Sequence, residues 1–249
     1  MIEVPLRVMD TRVVAEVSGD AAEVFAADVR RAWTRCLDDD DAPGEPDVRV
    51  PAVLDDEAGL LQAMDALSPA VTVAAIGHQA GQVLMLHAAG LADAEGRTVA
   101  LVGPSGTGKT TASRHLATRL GYVTDETVAV RADGSIAAYP KPLSVRLDGD
   151  VFKTQVAVDD LGATPERPHL HRVVVLRRDG AEEAWVEDVP LLEAMATVAT
   201  ETSYLARMEQ PLHHLAEVLE ARGGLRVLHY RDADQLGPMV DALLAEDGA

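Results

Sequence analysis

A nine-residue run in the middle of the chain has the residue types that bind a phosphate chain. Residues 103–111 read Gly-Pro-Ser-Gly-Thr-Gly-Lys-Thr-Thr, a complete Walker A motif. Its glycines let backbone N–H groups turn toward phosphate oxygens, Lys109 reaches the terminal phosphates, and the Thr110 hydroxyl is a ligand for Mg²⁺. The sequence therefore predicts that a nucleoside triphosphate is bound by Gly103, Pro104, Ser105, Gly106, Thr107, Gly108, Lys109, Thr110 and Thr111.

Two adjacent carboxylates follow the motif, sixteen residues after Lys109. Asp125 and Glu126 come directly after the short apolar run 122–124. In a βαβ unit the two strands run parallel, so we expect both side chains to reach the triphosphate. One carboxylate can hold Mg²⁺ together with Thr110, while the other accepts the proton of an attacking hydroxyl. An ordinary acidic turn is the alternative in a chain this rich in acidic residues.

A histidine precedes the motif in a predicted β-hairpin. Apolar runs on both sides of a polar turn at residues 93–96 are typical of such a hairpin. With Asp93 opposite Gly96, antiparallel counting sets His87 opposite Val102, one residue before the motif. His87 would then lie beside the phosphates. A buried structural histidine is the alternative interpretation.

Periodicity predicts the elements that must position these residues. Residues 98–102 are continuously apolar, as in a strand buried on both faces, and Ala112, Leu116 and Leu120 recur at helical spacing. Strand, glycine loop and helix form the context that a Walker A motif requires. Further strands are predicted at residues 172–177 and 225–230.

The remaining organisation is an α/β pattern in two parts. Residues 1–80 predict a small N-terminal α/β region with no recognisable chemistry, in which a helix follows Asp56 and runs to about Leu67. Residues 81–249 predict a nucleotide-binding domain whose mixed sheet has flanking helices.

Composition narrows the class of partners. The 249 residues include 41 acidic and 22 basic side chains, a formal charge of −19, which disfavours nucleic acid and anionic membrane surfaces. Cys36 is the single cysteine, so no intrachain disulfide can form. The N-terminus lacks a basic run followed by an apolar one, and no stretch approaches about 20 apolar residues. These features favour a cytoplasmic protein.

Two further features concern the nucleotide. The chain contains no asparagine, so it cannot hold the Asn-Lys-x-Asp guanine reader, and ATP with Mg²⁺ becomes the favoured ligand. It contains three lysines, Lys109, Lys141 and Lys153, and otherwise uses arginine for positive charge. One of these three lysines, Lys109, lies in the phosphate-binding motif, although the chain uses arginine at most other basic positions.

The histidine, the motif and the acidic pair together resemble the core of the bacterial HPr kinase/phosphorylase family. That P-loop core is related to the nucleotide core of phosphoenolpyruvate carboxykinase. The resemblance covers roughly residues 84–146 and implies a P-loop kinase fold. The chain lacks a counterpart of the family's glycine-rich signature segment, and it looks like the shorter HPr-kinase-related proteins, some of which modify peptides or small molecules.

Carried over by position, the resemblance implies a role for each residue. Lys109 and Thr110 would hold phosphates and metal, Asp125 would be the metal-side carboxylate, and His87 would assist the acidic pair. Glu126 stands where the family has an aspartate base. A glutamate carboxylate lies one methylene further out, so either Asp125 or Glu126 is the general base.

The same comparison points to a substrate-side segment at residues 139–146. Its prolines hold it extended, and Lys141 and Arg146 could neutralise the transferring phosphoryl group or an anionic acceptor. An edge segment with two exposed cations is the alternative.

The sequence thus predicts an ATP-dependent kinase that transfers the γ-phosphoryl group to a hydroxyl of a protein, peptide or metabolite. Related enzymes form ring-like assemblies, so a homo-oligomer is possible. An ATP-binding regulatory module without phosphotransfer is the main alternative. A carboxykinase-like lyase would need further cationic and metal-ligating groups, which the sequence does not provide.

Overall fold

The structure is a computed structural model, and it describes residues 1–38, 44–104, 106–147 and 149–246. Its strands and α-helices, in chain order, are β1 (Ile2–Val8), β2 (Thr11–Ser18), α1 (Ala22–Ala32), β3 (Val48–Val53), α2 (Leu60–His78), β4 (Leu84–Ala92), β5 (Arg97–Val102), α3 (Lys109–Leu116), β6 (Gly121–Thr124), β7 (Thr127–Val130), β8 (Ile136–Ala137), β9 (Leu143–Val145), β10 (Thr154–Val156), β11 (His169–Arg178), β12 (Trp185–Val189), α4 (Leu191–Ala199), β13 (Thr202–Ser203), α5 (Pro211–Glu220), β14 (Leu225–Tyr230) and α6 (Leu236–Ala245). The chain divides into two compact units, Met1–Gln79 with Tyr139–Asp160 and Ala80–Ala138 with Leu161–Ala249.

The first unit contains a three-stranded sheet in the order β1-β2-β3. β1 and β2 pair antiparallel through a tight turn at Met9 and Asp10, whose φ angles of 49° and 64° are left-handed. Left-handed residues at both turn positions match the right-handed twist of the flanking strands. β3 pairs parallel with β2, and α1 supplies the connection between them.

Helix α2 is longer than the sequence predicts, because it runs to His78 rather than ending near Leu67. It contains Pro69, which removes one helical N–H donor. The buried face of α2 continues past the proline through Val71 and Ala75, and packing of α2 against β2 and β3 outweighs the local cost.

The segment 139–160 clusters with the first unit, although it falls within the nucleotide-binding domain predicted at residues 81–249. Buried side chains explain this placement. The Tyr139 hydroxyl forms a 2.8 Å hydrogen bond with the Thr72 hydroxyl on α2, and the Tyr139 ring centroid lies 6.3 Å from that of Trp33. The segment also forms the antiparallel pair β9–β10, which contacts α2.

The second unit contains a mixed sheet. Its main path has the order β12-β14-β11-β5-β4-β7-β8, and β6 and β13 also pair with β4. β5, β11 and β14 are parallel, whereas β4, β7 and β12 pair antiparallel with their neighbours. The predicted α/β class with a mixed sheet and flanking helices is confirmed at this level, as are the strands predicted at residues 98–102, 172–177 and 225–230.

The core of the second unit forms between this sheet and its helices. One face of β5, β11 and β14 packs with α4 and α5, through residues such as Val102, Val198 and Leu219. Helix α6 packs against β5 and β11, and α3 packs against β4. β5 is buried on both faces, as its continuous apolar sequence predicts.

The predicted register of the β4–β5 hairpin is wrong by one residue. Ala88, not His87, lies opposite Val102. The N–H of Asp93 bonds to the carbonyl of Arg97, so Gly96 belongs to the turn, where its φ of 83° suits a residue without Cβ. A slip of one residue exchanges the two faces of a strand, and the position of His87 therefore has to be read from the structure.

One helical segment among the described residues, Glu57–His78, is long and apolar enough to cross a membrane by length and composition. It consists of a short 3₁₀ turn and α2, which packs on the sheet of the first unit. The apolar core helix of a globular unit satisfies the same criteria, so a single helix of this kind is weak support for a membrane span.

Candidate active site

The backbone of the Walker A motif joins β5 to α3 and contains two left-handed glycines. Gly106 has a φ of 88°, and Gly108, the N-cap of α3, has a φ of 95°. At Gly103, a Cβ would lie 2.9 Å from the Thr107 hydroxyl, which itself donates to the carbonyl of Pro104. Glycine is required at these positions because a side chain would strain or clash. Ser105 lies outside the described residues.

Lys109 is the first residue of α3 and is only 7% exposed. Its ammonium donates to the carbonyls of Gly103 and, at 3.2 Å, Pro104. Burial lowers the pKa of Lys109, while nearby carboxylates, Glu201 first and then Asp125 and Glu126, act in the opposite direction. Three carboxylates therefore act electrostatically on the lysine, while its ammonium contacts the two backbone carbonyls. Thr111, the last motif residue, is exposed on α3.

Asp125 contacts the next motif residue directly. The Thr110 hydroxyl donates to Asp125 Oδ2 over 3.0 Å, and the Tyr122 hydroxyl donates to Asp125 Oδ1 over 3.1 Å. Each carboxylate oxygen thus accepts a hydroxyl, and the side chain is only 6% exposed. This geometry fixes the orientation of the carboxylate next to Thr110.

Sheet pairing explains why Asp125 arrives there. β4 lies between β5 and β6 and pairs antiparallel with both. β5 and β6 therefore run in the same direction with one strand between them. Asp125 and Glu126 sit in the interruption between β6 and β7, where the Glu126 carbonyl still accepts the N–H of Ala88.

His87 lies in the same neighbourhood and is partly buried. On one side of β4 it pairs with Thr127, the first residue of β7, and on the other its backbone N–H donates to the Glu201 carbonyl over 2.6 Å. Burial and the positive charge of Lys109 lower the pKa of His87, against the opposing effect of Glu126 and Glu201. We expect the imidazole to be neutral at neutral pH.

Glu201 also lies near His87 and Lys109, and no sequence pattern indicates this. It precedes β13, which pairs antiparallel with β4 so that Thr202 lies opposite Leu86. This pairing brings Glu201 opposite His87. β13 contains only two residues, which is too short for any alternation to be recognised in the sequence.

Tyr230 is a second residue that sequence reasoning misses. It is the last residue of β14, and its hydroxyl donates to the carbonyl of Thr107 over 2.8 Å. The sequence identifies the strand correctly, but no local pattern indicates which loop its final side chain contacts.

The predicted substrate-side residues belong to the first unit, whereas the Walker A motif belongs to the second. Lys141 is only 1% exposed, and its ammonium donates to the Pro142 carbonyl over 3.1 Å and to the Ser144 hydroxyl over 3.4 Å. Arg146 is exposed. Their role toward an acceptor stays a prediction.

The donor chemistry around Thr110 fits a magnesium ion bound with a nucleotide. No group of three or more His, Cys, Asp or Glu side chains suited to a metal is found within the described part of the chain. Mg²⁺ does not need such a group, because it commonly takes one or two carboxylates, waters and substrate phosphates. Thr110 and Asp125 supply one hydroxyl and one carboxylate within 3.0 Å of each other.

Comparison with known proteins gives a distant likeness to a solved structure. No protein-family model and no curated protein matches the sequence. Among solved structures, the chain is similar to the HPr(Ser) kinase/phosphatase from Coxiella burnetii, with a TM-score of 0.34 and 12% identity over 64% of this chain and 93% of that one. This is a distant structural relationship and assigns no activity to the chain.

Proposed function

We propose that the protein is an ATP-dependent phosphotransferase. It binds ATP with Mg²⁺ through residues 103–111 and transfers the γ-phosphoryl group to a hydroxyl of a protein, peptide or metabolite. The observation that carries the proposal is the 3.0 Å contact between Thr110 and Asp125, directly beside the buried Lys109. A glycine loop alone supports phosphate binding, whereas a glycine loop with a fixed carboxylate also supports phosphoryl transfer.

The roles of the two adjacent carboxylates differ in this proposal. Asp125 accepts two hydroxyl hydrogen bonds that orient it next to Thr110, which suits the metal side. The negative charge of Glu126 and a hydrogen bond to its backbone both oppose the lowering of the His87 pKa. We therefore propose Glu126 as the general base and Asp125 as the metal-side carboxylate.

The transfer step follows from these assignments. The acceptor oxygen attacks the γ-phosphorus, the bond from that phosphorus to the β,γ-bridging oxygen breaks, and ADP leaves. The hydroxyl proton moves to the Glu126 carboxylate. Lys109 stabilises charge on the phosphoryl oxygens, and His87 positions the acceptor beside Glu126. When bound, Mg²⁺ would neutralise phosphate charge next to Thr110 and Asp125.

The first test follows the γ-phosphate. The purified chain is incubated with Mg²⁺ and γ-labelled ATP, alone and with protein and metabolite fractions of a cell lysate. Lys109→Ala serves as the site variant. Lys153→Ala is the matched control, because Lys153 is an exposed lysine of the first unit.

We expect label to move to a specific acceptor or, slowly, to water. Lys109→Ala should weaken ATP binding roughly 10- to 100-fold, the effect of losing charged hydrogen bonds, and Lys153→Ala should behave like the parent. Tight binding of ATP that stays intact in every fraction would favour the regulatory module. Equal transfer by the parent and Lys109→Ala would refute the assignment of the site.

A further inference from the structure

The end of β14 extends beyond the end of β5 and reaches the side of the Walker A motif. Val175 of β11 is level with Val102 of β5 on one side and with Val227 of β14 on the other. Tyr230 therefore projects three residues, about 10 Å, beyond the level at which β5 ends. Its side chain comes from two strands away, so the loop contacts a rigid element that is remote in sequence.

The phenol of Tyr230 is a buried hydrogen-bond donor. Its hydroxyl donates to the Thr107 carbonyl over 2.8 Å, and the residue is only 2% exposed. Burial raises the pKa of Tyr230, so the hydroxyl keeps its proton. Since a carbonyl can only accept, the direction of this hydrogen bond is unambiguous.

Planarity of the peptide group transmits this contact to the next residue. In a trans peptide the C=O and the following N–H point in opposite directions. A Thr107 carbonyl held by Tyr230 therefore directs the N–H of Gly108 away from Tyr230. Gly108 is the N-cap of α3, where backbone N–H groups bind anions.

The absence of a side chain at Gly108 keeps this arrangement close-packed. A Cβ on Gly108 would lie 3.2 Å from the Tyr230 hydroxyl oxygen. The backbone of Tyr230 is itself held in place, because the Tyr230 carbonyl accepts the N–H of Asp179 over 3.2 Å. The preceding residue, His229, is held between the carboxylates of Asp179 at 2.6 Å and Glu187 at 3.2 Å.

We propose that Tyr230 is a positioning residue for polyphosphate binding: by holding the Thr107 carbonyl, it aims the Gly108 N–H at a phosphate oxygen of the nucleotide. This inference rests on the proposed function. In this inference Tyr230 contributes to recognition of the phosphate chain and not of the nucleoside. Tyr230 should therefore affect ATP and inorganic tripolyphosphate equally, since the two share that chain and differ in the nucleoside.

The test is Tyr230→Phe, which removes only the hydroxyl. Calorimetry gives the Kd of the Mg²⁺ complexes of ATP and of tripolyphosphate. We expect both Kd values to rise by the same factor, about fivefold, the effect of one hydrogen bond. Thr72→Val is the matched control, because it removes the buried hydroxyl hydrogen bond to Tyr139 in the first unit and should lower Tm while leaving both Kd values unchanged.

A second measurement needs no variant. In NMR spectra of the parent protein, tripolyphosphate should shift the Gly108 amide proton strongly downfield and leave that of Gly77, in α2, unmoved. Unchanged Kd values for both ligands in Tyr230→Phe, or a change for ATP alone, would overturn the inference. A Gly108 amide that does not respond would also overturn it. If instead Lys109→Ala leaves both Kd values at the parent level, or if the parent binds neither ligand, the proposed function itself fails.

Discussion

The Thr110 hydroxyl donates a 3.0 Å hydrogen bond to Asp125 Oδ2, and this contact joins the first turn of α3 to the break between β6 and β7. The two residues are fifteen positions apart in the sequence. The intervening chain forms α3 and then β6, which runs parallel to β5 with β4 between them. The contact therefore exists only when the sheet is assembled.

Asp125→Asn should abolish the Mg²⁺ dependence of ATP turnover. The amide keeps an acceptor for Tyr122 but loses the charge that suits a metal, so we expect turnover to fall about 100-fold or more. Without Mg²⁺ the variant should bind ATP at least as tightly as the parent, because one negative charge beside the phosphates is gone. Turnover against Mg²⁺ concentration measures the first effect, and calorimetric titration with ATP in the presence of EDTA measures the second, with the exposed Asp20→Asn as control. Identical curves for Asp125→Asn and the parent would exclude Asp125 from the metal side.

His87 should make the folded protein less stable in mild acid. The pKa of His87 in the folded state is lowered from the ordinary value near 6.5. Between these two pKa values the unfolded chain is therefore protonated at His87 while the folded protein is not. The free energy of unfolding therefore decreases as the pH falls below about 6.5 and through the lowered pKa. Urea denaturation from pH 5 to 8 measures this slope, which should be shallower in His87→Gln. Because burial also lowers the pKa of His171, His171→Gln is the comparison variant. A slope that His87→Gln leaves unchanged would contradict the prediction.

Two glycine substitutions should have opposite effects on stability. Gly106→Ala places a side chain at a φ of 88°, which costs about 1–2 kcal/mol, although a Cβ there meets no atom within 4 Å. Gly77→Ala lies in α2, also with open space around the added Cβ, and should stabilise the protein by up to about 1 kcal/mol. Chemical denaturation gives both values, and ATP titration should show weaker binding for Gly106→Ala alone. Stabilisation by both substitutions would mean that Gly106 does not need its left-handed conformation.

The contact between Asp179 and His229 should stabilise the protein above acidic pH. The hydrogen bond from His229 lowers the pKa of Asp179 below its ordinary 3.8. A carboxylate with a lowered pKa contributes stability that is present above the unfolded-state value and is lost as the pH falls through the folded-state value. The stability difference between the parent and Asp179→Asn should therefore be largest near neutral pH and shrink below about pH 3.8. Urea denaturation at several pH values tests this, with the exposed Asp234→Asn as control. A difference independent of pH would assign the effect to packing.

Local patterns in the sequence were sufficient for part of the fold and of the candidate site. A continuously apolar run predicted the buried strand β5, and the Walker A motif marked the loop and the start of α3, because strand burial, glycine turns and helical spacing are properties of neighbouring residues. The direction of β6, and with it the approach of Asp125 to Thr110, followed from the geometry of a strand–helix–strand unit.

The sequence predicted that Lys141 and Arg146 belong to the nucleotide-binding domain, whereas the structure places them in the first unit. Lys141 lies in the first unit because Tyr139 packs there against Thr72 and Trp33. Each of these contacts joins residues more than 60 positions apart. No local sequence pattern predicts which distant side chains pack together in a core.

What the sequence by itself determined is therefore the glycine-rich motif at residues 103–111 and the strand β5 and helix α3 on either side of it, since those depend on local chemistry. The tertiary structure alone decided three features of the site: the one-residue register of β4 that sets His87, the arrival of Glu201 through the two-residue strand β13, and the contact of Tyr230 with Thr107. The same physical reason applies to all three features. Each depends on pairing between segments far apart in the chain, whose free energy comes from the assembled sheet and core rather than from the residues beside them.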